Sequence, residues 1–158
     1  MTEALVRVAY ILNILNSYDD AQLVTDFLSE TRFENNYDYW TWLEFSLALR
    51  AELAFNAGDV KKSAESVDLI NTALKSGEGL QKNVRMNVHS RFMDGEMLDS
   101  KSADEEKNSS FLFDHNIINL MRLIKMKILG GSDNFNISLI EVEIQRETSQ
   151  LLSILNER

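Results

Sequence analysis

The chain has no proline and no cysteine, and its six glycines sit at only four places along 158 residues. A chain of this length carries roughly eight prolines at ordinary usage. Proline removes a backbone donor and clashes with the preceding helical turn, so its absence leaves long stretches free to be helix. The glycines fall at Gly58, at Gly77 with Gly79, at Gly95, and at Gly130 with Gly131. Glycine reaches the left-handed conformation that ends a helix at little steric cost, so these positions read as punctuation between helices. The lack of cysteine removes thiol catalysis, thiolate metal sites and any disulfide framework together, and it fits a reducing compartment. No run approaches the roughly 20 apolar residues of a membrane span. The first stretch, interrupted by Glu3 and Arg7, has neither a basic leader nor a small-residue cleavage site. A secretory signal is therefore not expected, and a cytoplasmic protein is.

What is present is acid and apolar surface. Twenty-five acidic against 16 basic residues give a net charge of -9. That sign repels phosphate backbones and anionic lipid, so neither nucleic acid nor a membrane is the expected partner, and a basic protein is. An apolar fraction of 44% supports a packed core without metal or disulfide. The length points to a single domain spanning residues 1–158, burying roughly 68–70% of its unfolded surface.

The apolar spacing predicts an all-α fold of six to seven helices stacked as antiparallel hairpins. A first helix over Thr2–Asn16 carries a stripe of Leu5, Val8, Leu12 and Leu15, widened by Ala4, Ala9 and Ile11. Asp19 or Asp20 caps a second helix whose apolar side is Leu23, Val24, Phe27 and Leu28. Glu34-Asn35-Asn36 reads as a turn. From Tyr37 to Ala57 runs the most apolar helix, with Trp40, Leu43, Leu47, Ala51 and Ala54 on one face and Trp42, Phe45, Leu49 and Leu53 on another. A helix apolar on two faces packs on two sides and is expected at the centre, with Arg50 and Glu52 marking its edge. Ala57-Gly58-Asp59 is a tight turn in which Asp59 caps a helix over Val60–Lys75, burying Ala64, Val67, Ile70, Ala73 and Leu74. A helix over Leu80–Leu98 follows, then a polar, exposed loop from Asp99 to Ser109, in which Ser102 and Glu105 match a capping box. Ser110–Leu129 is again helical, with Phe113, Ile117, Leu120, Ile124 and Ile128 spaced for burial. Gly130-Gly131-Ser132-Asp133 closes it. Ser138 with Glu141 matches a second capping box for a last helix to Asn156, striped by Leu139, Val142, Ile144, Leu151, Leu152 and Leu155.

Catalytic chemistry is not legible. The two histidines are His89, a surface or boundary residue in mid-helix, and His115, whose neighbour Asp114 suits a helix start. Adjacent helical residues point about 100° apart and do not face each other, so Asp114 does not orient His115 as a base. Glu143 and Glu147 stand one turn apart and read as an exposed face. No His-Glu-x-x-His, Gly-x-Gly-x-x-Gly, Walker loop or Gly-x-Ser-x-Gly turn occurs. Arg122, Lys125 and Lys127 suit the C-terminal half of their helix and read as structural. Neither enzyme activity, nor a metal, nor a cofactor is expected.

The charge distribution carries more. Residues 1–44 hold Glu3, Asp19, Asp20, Asp26, Glu30, Glu34, Asp38 and Glu44 against Arg7 and Arg32, a net of -6. Aromatic residues are interleaved with them. Acid speeds the encounter with a basic partner and aromatic side chains anchor it. On that logic Asp19, Asp20, Glu34, Tyr37, Asp38, Tyr39 and Trp42 are the candidate partner-binding residues, with Trp40 assigned to the core.

Two resemblances follow. Leu47–Ile70 resembles one tetratricopeptide-type hairpin: Leu47, Ala51 and Ala54 on the first helix, Gly58-Asp59 at the turn, Ser63 and Val67 on the second. Arg50 and Lys75 depart from that pattern, and no second copy appears at a period of about 34 residues. The whole profile is also similar to the small, acidic, all-helical immunity proteins encoded beside bacterial polymorphic and Rhs-type toxins. It rests on size, charge, the missing signal and the run Tyr37-Asp38-Tyr39-Trp40-Thr41-Trp42 leading into Leu43–Leu49. That likeness implies a stoichiometric inhibitor of a folded toxin domain. The hairpin implies an adaptor or secretion chaperone that holds a client peptide.

Overall fold

In a computed structural model, residues 2–30, 37–72, 109–130 and 134–156 are described, and all of their regular structure is α-helix. The helices are α1 (Thr2–Ile14), α2 (Tyr18–Glu30), α3 (Tyr37–Asn56), α4 (60–72), α5 (Ser109–Leu129) and α6 (Asn134–Asn156). The expected turn at Glu34–Asn36, the helix over Leu80–Leu98, His89 and the loop over Asp99–Ser109 lie outside the described residues, apart from Ser109, which opens α5.

The α1–α2 and α3–α4 hairpins turn in the same way. Asn16, in the left-handed region at φ 63°, donates its N–H to the Asn13 carbonyl, and Ser17 donates to Leu12. Gly58, at φ 85°, donates to Phe55, and Asp59 donates to Ala54. Both are Schellman closures, which satisfy the last carbonyls of one helix while reversing the chain. Each closure delivers the cap of the next helix. Asp59 Oδ1 accepts from the Lys62 N–H at 3.1 Å, and the Ser17 carbonyl accepts from Ala21. The cap of α2 is thus Ser17, one residue outside the helix, and Asp19 and Asp20 lie in its first turn, where acid also suits the dipole.

Helix α3 is the axis of the fold, as its two apolar faces predict. It packs against α1 and α2 on one side and α5 on the other, and α5 pairs with α6. Trp42, Phe45, Leu47, Ala48, Leu49, Ala51, Leu53 and Ala54 are all buried. Tyr10 of α1 is fully buried and donates its hydroxyl to the Phe45 carbonyl at 2.7 Å. On α4, the Ser63 hydroxyl donates to the Ala51 carbonyl at 2.9 Å, which brings α4 close against α3. Ile117, Leu120 and Ile124 of α5 are buried as expected, with Phe113 and Ile128 partly so.

Several expected faces are rotated. On α1 the buried positions are Thr2, Val6, Ala9, Tyr10 and Ile14, while Val8 and Leu15 are about half exposed. On α2, Ala21, Thr25 and Leu28 face inward, and Leu23 and Phe27 outward. Ala21, Thr25 and Leu28 share one face of α2, and Leu23 and Phe27 fall on the opposite one. On α4 the inner face is Ser63, Ser66 and Ile70, with Ala64 outside. Helix α6 begins at Asn134, so Ser138 lies within it rather than at its cap, and Leu139 and Val142 are exposed.

Candidate functional site

Part-buried ion pairs tie helices distant in sequence. Asp26 of α2 accepts from Arg50 Nε and from Lys62 Nζ, each at 2.8 Å. Arg50 also donates to the Ser66 hydroxyl at 2.9 Å, so α2, α3 and α4 meet at one carboxylate. Burial opposes ionisation of Asp26, but the bonds from Lys62 and Arg50 outweigh it and hold the carboxyl below its usual value.

On the opposite side of α3, Glu44 is 2% exposed and takes Lys125 at 2.6 Å. Lys127 meets Glu52 at 2.5 Å and also Glu141 of α6. Burial works against the Lys127 charge, yet its bonds to Glu141 and Glu52 raise its pKa above the usual lysine value. Lys125 and Lys127 of the basic cluster thus tie α5 to Glu44 and Glu52 of α3 and to the more exposed Glu141 of α6, beyond any interaction with the helix dipole. Arg50 and Glu52, expected at an edge, are part-buried bridges to opposite neighbours.

The chemistry-bearing residues near α6 also differ from expectation. Glu147 is buried, not on an exposed face. Burial raises its pKa, only partly offset by Arg146, His115 and Asn119, with Glu143 adding like charge. Asp114 stands in the second turn of α5 rather than at its start, and it pairs with Arg7 of α1 at 3.0 Å. His115 lies 3.4 Å from the Asn119 amide. Among the described residues no group of three or more side chains is placed to hold a metal ion. Within the same limits no helix is long and apolar enough to cross a membrane.

The proposed binding residues separate. Asp19 and Asp20 are exposed together on the first turn of α2. Glu34 lies outside the described residues. Tyr37, Asp38 and Tyr39 fall on the first turn of α3 by their backbone, and their side chains, like that of Trp40, lie outside the described ones. Trp42 needs correction as a surface anchor: it is 5% exposed, edge-on to Phe45 at 5.8 Å, with the Arg7 guanidinium 5.4 Å over its ring. Its position on the second apolar face of α3 turns it inward. Sequence reasoning missed three residues that share the α2 surface with Asp19 and Asp20, namely Leu23, Phe27 and Glu30. Their signal was present but ambiguous, because the apolar pair was read as core.

A model of one family matches residues 1–152, and the chain belongs to that family: DUF6707, a family of unknown function. No curated protein and no solved structure matches the chain.

Proposed function

We propose that this DUF6707 member acts by stoichiometric association with another protein, as a cytoplasmic immunity protein that neutralises a bacterial toxin through direct contact with its folded, basic toxin domain. It uses neither a cofactor nor a catalytic residue. One observation carries the reading: among the described residues, six cations are taken up in ion pairs, while an acidic group on α2 stays at the surface. Arg7, Arg50, Lys62, Lys125, Lys127 and Arg146 all take part in ion pairs. Asp19, Asp20 and Glu30 stay at the surface. A surface of that sign accelerates encounter with a cationic cleft and disfavours nucleic acid and anionic lipid.

The reading is tested by depletion in the native host. Growth should stop when this protein is withdrawn and recover when the partner's reading frame is deleted as well. Unimpaired growth after depletion refutes the immunity role.

A second reading is favoured by the shared closure of the α1–α2 and α3–α4 hairpins, which is how a stacked-hairpin adaptor or secretion chaperone is built. Such a protein would bind an unfolded segment of its client, whereas an immunity protein requires the folded domain.

A further inference from the structure

Helix α2 turns its larger apolar side chains away from the core. Ala21, Thr25 and Leu28 are buried, whereas Leu23 is 68% exposed and Phe27 50%. Positions 19, 20, 23, 27 and 30 recur at three- and four-residue spacings, so they lie along one face. The result is a continuous stripe: Asp19 and Asp20 at one end, Leu23 and Phe27 in the middle, Glu30 at the other. A single exposed leucine needs no explanation. Two large apolar residues one turn apart, bracketed by acid at both ends, form a patterned surface with an apolar centre and a charged rim.

The cations that reach α2 do not neutralise this rim. Arg50 and Lys62 both go to Asp26, on the flank of the helix that faces α3 and α4. Among the described residues Asp19, Asp20 and Glu30 form no ion pair. The charge also selects the occupant. A second copy would bring another net -9 against the same acidic stripe, and polyanions are repelled.

We propose that the outer face of α2 is the docking surface for a partner segment carrying two apolar side chains flanked by lysine or arginine. The apolar pair seats on Leu23 and Phe27, and the flanking cations meet Asp19, Asp20 and Glu30. This rests on the association reading above and names the surface and the partner chemistry for it.

The test uses the full chain and a defined probe: a labelled helical peptide of about 20 residues with two leucines one turn apart and lysines on either side. It is titrated against the wild type, a Leu23→Ser/Phe27→Ser variant and an Asp19→Asn/Asp20→Asn/Glu30→Gln variant. Each variant should weaken binding by about tenfold or more, and the charge variant should also lose the salt dependence. Thermal melts establish that each variant is folded; because Phe27 is half buried, Leu23→Ser alone, at a position 68% exposed, serves as the apolar variant if the double one melts lower. Wild-type affinity in the Leu23→Ser/Phe27→Ser variant overturns the proposal, because attraction would then be unspecific charge. Failure of the wild type to bind the peptide also overturns it. A wild-type dimer dissolved by Leu23→Ser would assign the face to a second copy and overturn the partner chemistry. In affinity purification from the host, a stoichiometric partner lost with Leu23→Ser/Phe27→Ser supports the surface. A partner retained equally by that variant defeats the surface while association stands. No partner with the wild type defeats association itself.

Discussion

Replacing Asp26 with alanine removes the carboxylate that Arg50 and Lys62 share and tests whether α2 is held to α3 and α4 by charge. The Arg50 side chain is 13% exposed and would keep the Ser66 hydroxyl as its partner among the described residues. Breaking a buried pair costs about 3–5 kcal/mol, whereas exposed pairs contribute about 0–1. The Asp26 side chain, 35% exposed, lies between these limits. A loss of about 2 kcal/mol is therefore expected, which for a chain of this size lowers Tm by roughly 4–8 °C. The pH dependence has a definite sign. The folded pKa of Asp26 lies below its ordinary 3.8, so the unfolded chain binds more protons and the stabilisation is present above that value. It disappears as pH falls through the folded pKa. Thermal melts of wild type and Asp26→Asn should show a constant gap from pH 7 down to about 5, closing below 3.8. A double-mutant cycle with Arg50→Met should return a coupling of about 1–2 kcal/mol. A Tm change under about 1 °C for Asp26→Ala, or additive effects in the cycle, would refute the reasoning.

Lys127→Met leaves Glu52 and Glu141 without their shared cation and should cost about 2–3 kcal/mol by denaturant unfolding at neutral pH. Because the folded pKa of Lys127 is raised, its contribution is fully present below the ordinary 10.5 and fades only at higher pH. Glu147→Gln has the opposite sense. The folded carboxyl titrates above its ordinary 4.5, so its stabilisation is lost as pH rises through that folded value; the glutamine variant should melt about 1–3 °C higher at pH 7 and show no advantage at pH 4. Gly58→Ala meets no neighbouring atom, yet its φ of 85° is strained for any side chain, and circular dichroism melts should show a loss of about 1 kcal/mol. Reversing Asp19, Asp20, Glu34 and Asp38 to lysine should slow association with the partner by about tenfold or more at low salt in stopped-flow mixing; an unchanged rate would sink the electrostatic part of the account.

The central helix was legible because α3 is apolar on two faces, and both must be covered by neighbours. The Ala57-Gly58-Asp59 turn was legible because glycine and a capping aspartate are local signals, and Ser109–Leu129 began within one residue of expectation. Helix α1 was found but set at the wrong rotation. Ala4, Leu5, Val6, Val8, Ala9, Ile11, Leu12, Ile14 and Leu15 leave too little contrast for periodicity to choose a face, and the burial of Tyr10 depends on the Phe45 carbonyl 35 residues away. Helix α2 failed for a related reason, since bulk was taken as the mark of burial, whereas the inward face is Ala21, Thr25 and Leu28. The buried acids had no local signature at all. Glu44 finds Lys125 across 81 residues and Glu52 finds Lys127 across 75. Of the candidate site, Asp19 and Asp20 are exposed on the first turn of α2. Trp42 is buried, and its place on the second apolar face of α3 was the signal that its acidic and aromatic neighbours obscured.

Association itself is tested most directly by tagging this protein at its native locus, purifying it under gentle conditions and measuring the mass and composition of what elutes. The account predicts a one-to-one complex with a folded, basic domain of another protein. Elution of this chain alone, or bound only to an unfolded client segment, would contradict it.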